Sequence, residues 1–85
     1  MNHSITVRLF AQLRELSGIE TLDYDVPAEG LALSDILVDL RTRPSLAVSL
    51  EGVRLMTAVN QTMVREGHHV VPGDELALFP PVTGG

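Results

Sequence analysis

The sequence predicts an α+β domain in which a mixed β-sheet packs on one main helix. Three observations carry that prediction. Apolar residues alternate with their neighbours near both ends, in ITVRLF (5–10) and ELALF (75–79), as half-buried strands require. A single helical stripe runs through LALSDILVDLRTRP (31–44), where Leu33, Ile36, Leu37 and Leu40 fall at i, i+3, i+4 and i+7. Short apolar runs punctuated by turn residues such as VPGD (71–74) complete the pattern.

In the first strand, alternation sets Ile5, Val7 and Leu9 on one face and Thr6, Arg8 and Phe10 on the other. AQLRELSG (11–18) follows as a short helical stretch of good helix formers with a glycine stop at Gly18. A second strand is expected over 19–26, with Leu22, Tyr24 and Val26 opposite Thr21, Asp23 and Asp25 until Pro27 breaks it, forming an antiparallel pair with the first. The main helix carries Asp35 near its start and Arg41 and Arg43 in its last turn, where each sign suits the helix dipole, and Pro44 is expected to stop it. SLAVSLEG (45–52) predicts another helical turn, and strands return at 55–60 and 62–65. This order suggests a roll of the ubiquitin kind, with the first and last strands parallel and adjacent at the centre. If Ile5, Val7, Leu9, Leu76 and Leu78 face the helix, Phe10 and Phe79 fall on the open face near the strands' C-terminal ends. Two exposed phenylalanines side by side mark a partner-binding surface.

Composition narrows the function. At 85 residues the chain is expected to form one domain, 1–85, with a tail over 80–85. Apolar residues make up 45% and aromatics only 4%, so the core must be aliphatic. No apolar run approaches the ~20 residues of a membrane helix, and the first residues lack the basic and apolar segments of a signal peptide, so a cytoplasmic location is expected. The net charge of −5 would repel a phosphate backbone, which disfavours nucleic acid as a partner. Cysteine is absent, removing disulfides, thiolate ligands and a cysteine nucleophile together. Lysine is absent as well, because all six bases are arginines.

Conventional catalytic constellations are missing. Neither a phosphate-binding glycine loop nor a Ser/His/Asp set is present. His68 and His69 read as part of a solvated loop, since adjacent residues point apart and no third ligand accompanies them. Asp35 and Asp39, at i and i+4, read as a solvated helix face.

The stretch FPPVTGG (79–85) has a different character. Pro80 and Pro81 impose an extended departure from the last strand. Gly84 and Gly85 lack Cβ atoms, so their backbone suits a channel too narrow for side chains. A carboxylate delivered on such a tip is inert until activated, and ATP activates carboxylates as acyl-adenylates.

FAQLREL (10–16), AVNQTMV (58–64) and FPPVTGG (79–85) together resemble the MoaD-type ubiquitin-like sulfur carriers, the small subunits of molybdopterin synthases. Residues 44–54 match no motif of that family. The resemblance implies a β-grasp roll and a role in molybdenum cofactor biosynthesis. It implies that an E1-like enzyme, using ATP and Mg, adenylates Gly85 and that a sulfurtransferase supplies the sulfur of a thiocarboxylate. That sulfur passes to cyclic pyranopterin monophosphate in a heterotetramer with a large subunit, which is expected to hold the catalytic pocket. This chain is expected to bind no cofactor or metal itself. Gly85 and Gly84 carry the chemistry in this reading, and Phe10, Arg14, Met63, Phe79, Pro80, Pro81, Val82 and Thr83 bind partners. The alternatives are a thiazole-pathway sulfur carrier and a ubiquitin-like protein modifier. Without lysine, the chain cannot build polymers on its own side chains.

Overall fold

The computed structural model describes residues 3–50, 52 and 54–81. Its first strand, β1 (Ser4–Leu9), buries Ile5, Val7 and Leu9 and leaves Ser4, Thr6 and Arg8 half-exposed, as alternation requires. α1 (Gln12–Ser17) buries Leu13 and ends at Gly18, whose φ of 73° lets its amide return to the Arg14 carbonyl at 2.8 Å. β2 (Thr21–Asp25) then pairs antiparallel with β1, Val7 opposite Leu22.

α2 (Leu33–Thr42) presents Leu33, Ile36, Leu37 and Leu40 to the sheet, all essentially without solvent contact. Fully burying such a side chain contributes about 1.5–3 kcal/mol, so this stripe anchors the helix. Pro44 stops α2 but also starts the next helix, α3 (Pro44–Leu50), which buries Leu46, Ser49 and Leu50. Arg43 between them is extended, at ψ 128°, as the residue before a proline prefers, and Pro44 suits a first helical position because no partner for its missing N–H is required there. The region is a helical corner rather than one additional turn, and α1 and α2 both pack on α3.

β4 (Met56–Val59) and β5 (Thr62–Met63) form a hairpin, and β7 (Glu75–Phe79) closes the sheet in the order β2-β1-β7-β4-β5. β1 and β7 are parallel neighbours at its centre, with Val7 opposite Leu76 and Leu9 opposite Leu78. The hairpin loop, Asn60-Gln61, has φ of 50° and 71°, the left-handed pair that a tight two-residue turn needs. Asn60 makes the turn specific. Its side-chain amide donates to Asp74 Oδ1 at 2.9 Å while its Oδ1 accepts from the Glu75 amide at 2.9 Å, tying the turn to the start of β7.

One expectation is corrected. His69 lies in a strand, β6 (His69–Val70), paired antiparallel with β3 (Leu31–Ala32), and its Nε2 meets the Glu29 carbonyl oxygen. Gly30, at φ 83°, permits this pairing, because a Cβ there would overlap the Val70 carbonyl. Among the described residues, no helix is long and apolar enough to cross a membrane.

Candidate functional site

Directly opposed residues on neighbouring strands share a face, so the pairing register defines the open side of the sheet. Arg8, Ala77, Ala58 and Met63 form one row across β1, β7, β4 and β5. Phe79 and Met56 begin the next row. Phe10, just past β1, donates its amide to the Leu78 carbonyl at 3.2 Å and so continues the strand's path beside Phe79.

The two rings stack with centroids 4.6 Å apart and an interplanar angle of 13°. Arg8 lies over Phe10, its guanidinium carbon 5.4 Å from the ring centroid, while its Nη1 stands 3.9 Å from Glu75 Oε2. Phe10 and Phe79 are therefore half-buried against each other and Arg8. Met63 and Met56 remain 55% and 39% exposed. The small side chains of Ala58 and Ala77 allow the sheet to remain low between these larger groups. An apolar concavity of about 400 Å³ opens here, lined by Ala11, Met56, Met63, Phe79, Pro80 and Pro81.

Thus Phe10, Met63, Phe79, Pro80 and Pro81, named from the sequence, converge on one surface. Met56 and Ala11 belong to it too and escaped sequence reasoning. Period-two alternation in MTAV leaves either face open as the core, and only pairing of Met56 with Phe79 turns it outward. Thr57 faces inward instead, its hydroxyl donating to the Val64 carbonyl at 2.9 Å. Arg14 is exposed on α1, outside this concavity. Val82, Thr83, Gly84 and Gly85 lie outside the described residues.

Among the described residues no cluster of three or more His, Cys, Asp or Glu is placed to hold a metal ion. On the helix side of the sheet, burial, then the hydrogen bond to Asp39 and its charge, push Tyr24 up to about 12.

Fold and face together define a ubiquitin-like β-grasp domain with an exposed apolar concavity just before a Gly-Gly sequence. The chain belongs to the ThiS family, whose sequence profile matches residues 7–85. It is 45% identical over 83 residues to the molybdopterin synthase sulfur carrier subunit of Escherichia coli K12, covering 95% of this chain and 99% of that one. It is 38% identical over 85 residues to small archaeal modifier protein 1 of Haloferax volcanii, covering 92% and 97%. The crystal structure of SAMP1 from Haloferax volcanii superimposes with a TM-score of 0.73 at 33% identity, covering 96% of this chain and 99% of that one.

Proposed function

We propose that this chain is the sulfur-donating small subunit of a molybdopterin synthase, acting through the carboxylate of Gly85. The carboxylate attacks the α-phosphorus of ATP on an E1-like enzyme that also holds Mg, releasing pyrophosphate and leaving an acyl-adenylate. Persulfide sulfur from a sulfurtransferase displaces AMP to give an acyl disulfide, and a second thiol, outside this cysteine-free chain, attacks the sulfurtransferase's sulfur, forming a disulfide there and releasing the thiocarboxylate. On the large subunit the thiocarboxylate donates its sulfur to cyclic pyranopterin monophosphate, and hydrolysis of the acyl–sulfur bond restores the carboxylate. Two such donations build the dithiolene.

The observation that carries this reading is the apolar surface around the Phe10–Phe79 stack, on the residues that lead into VTGG. A carrier must grip successive partners reversibly while presenting its reacting end. A shallow surface of methionines and aromatics suits that exchange, because flexible thioethers repack against different partners. The 45% identity to the Escherichia coli carrier subunit favours the molybdopterin pathway over the thiazole pathway.

Similarity to the Haloferax volcanii modifier favours a second reading, in which Gly85 is joined to amines of other proteins. Intact mass spectrometry after incubation with the activating enzyme, ATP and a sulfur donor separates the two. Replacement of one oxygen by sulfur supports the carrier, while covalent adducts with protein targets support the modifier. Reconstitution with a large subunit and the pterin precursor completes the test, with molybdopterin formation as the expected result.

A further inference from the structure

Beside the apolar concavity lies a larger groove of about 730 Å³, and its chemistry is different. Arg41, Arg54 and Arg65 line it, half of all the arginines in a chain whose net charge is −5. Glu66 is the one carboxylate among its lining residues.

Two of these arginines flank the open end of the β4–β5 hairpin. Ala58 opposes Met63, and the Val64 amide donates to the Thr57 carbonyl at 3.0 Å, so the pairing reaches one step past β5, and Arg54 and Arg65, just beyond it in sequence, both line the groove. Arg54 and Arg65 are exposed and have no ion-pair partner among the described residues. Arg8 and Arg43, by contrast, are both engaged with carboxylates. The groove also shares Met56, Met63 and Pro81 with the apolar concavity, so a protein seated on one reaches the other.

We infer that this groove receives an acidic segment of the large subunit, giving the docking face a charged half beside its apolar half. The inference rests on the function proposed above and adds what that function leaves open, namely which surface orients the partner. Guanidinium groups are suited to the role because they bind carboxylates through two parallel hydrogen bonds while tolerating partial desolvation. Local positive charge is also needed on this chain. Its overall acidity repels an acidic partner at long range, and a cluster within a Debye length of about 8–10 Å overrides that repulsion only at the groove. The groove thus selects the orientation of an encounter that the apolar surface then holds.

The experiment is association of the full chain with the large subunit, followed by stopped-flow at low and high salt. Arg54→Glu with Arg65→Glu should slow association by about tenfold or more at low salt, with the difference largely lost at high salt. Phe79→Ala should instead speed dissociation at every salt concentration. The milder pair Arg54→Gln and Arg65→Gln should fall between, and thermal melts of each variant should match the wild type because both side chains are exposed. Binding by both double variants at the wild-type rate and with the wild-type salt dependence would overturn the groove while leaving the proposed function standing. Failure of the unmodified chain to bind the large subunit would overturn both. Slowed adenylation with unchanged large-subunit association would assign the groove to the activating enzyme and sink the inference. So would Gly85 resonances that shift in the free chain on substitution, since the groove would then serve the chain's own carboxylate.

Discussion

Phe10 and Phe79 stack at 4.6 Å although 69 positions separate them in the sequence, because β1 and β7 run parallel and end together. The stack leaves both residues half-buried, with Met56 opposite Phe79 on the neighbouring strand. Such a pair is pre-ordered before any partner arrives, which reduces the entropy lost on docking.

Phe79→Ala should therefore weaken binding to the large subunit by roughly 1–3 kcal/mol, the range of an interface anchor. Stability should fall by less than truncation of a core phenylalanine costs, because the ring covers the open face and not the helix-side core. Calorimetric titration measures the first effect, and circular dichroism with urea melts measures the second. Loss of the fold would place Phe79 among the core residues instead.

Arg14→Glu tests the carry-over from FAQLREL. The side chain is exposed on α1, away from the apolar concavity, and has no ion-pair partner among the described residues. Reversal of its charge should slow adenylation by the activating enzyme, most strongly at low salt, and leave large-subunit binding nearly unchanged. Unaltered adenylation kinetics at low salt would remove Arg14 from the docking surface.

Asn60 ties the β4–β5 turn to the start of β7. Its side chain makes the bonds to Asp74 and the Glu75 amide, and its own amide donates to the Glu75 carbonyl at 2.8 Å. Asn60→Ala loses the side-chain bonds and puts a less tolerant residue at φ 50°. The expected cost is about 1–2 kcal/mol, read as a lower urea midpoint at unchanged slope. Asn60→Gly should recover part of it by removing the backbone strain.

Tyr24, the single tyrosine, links stability to alkaline pH. Its ring is buried beneath Arg43, whose guanidinium carbon lies 5.0 Å from the centroid and whose Nη2 reaches Asp39 Oδ2 at 3.3 Å. Burial first, and the Asp39 carboxylate second, hold the phenol neutral up to about 12 instead of 10, although Arg43 acts in the opposite sense. Below pH 10 both folded and unfolded forms are protonated and the contribution is complete. Between 10 and about 12 the unfolded chain ionises first, so stability falls as pH rises. Urea melts across that window should show the decline, and Tyr24→Phe should flatten it.

What was legible in the sequence was what periodicity encodes. Alternation placed Ile5, Val7 and Leu9 inside and Phe10 and Phe79 outside, and the 3.6-residue stripe placed Leu33 through Leu40. The β3–β6 pair was not legible, because strands of two residues have no period and Leu31 meets Val70 across a long separation. Gly30 was the only local trace, since nothing in its neighbours required a left-handed residue. Pro44 was ambiguous for a different reason. Proline stops one helix and starts another by the same absence of a donor, and the choice depends on whether Leu46 and Leu50 find a core to enter.

The Gly85 mechanism makes the sharpest demand on covalent length. Six residues follow Phe79 in the sequence, so a partner seated on the apolar face can meet the Gly85 carbonyl at most about 20 Å away. Pro80 and Pro81 narrow the conformations to be surrendered on insertion. One residue appended after Gly85 moves the reacting carbon by about 3.5 Å and replaces the glycine carboxylate with an amide that ATP cannot adenylate at the same atom. A misplacement near 1 Å already costs on the order of a hundredfold in rate, so the extended chain should give no molybdopterin in reconstitution. Gly84→Ala should be milder, obstructing a narrow channel while leaving the carboxylate in register. Binding to the large subunit through Phe10, Met56, Met63 and Phe79 should survive both changes, which separates docking from chemistry in one set of assays. Native-rate molybdopterin formation by an untrimmed extended chain would refute carboxylate delivery.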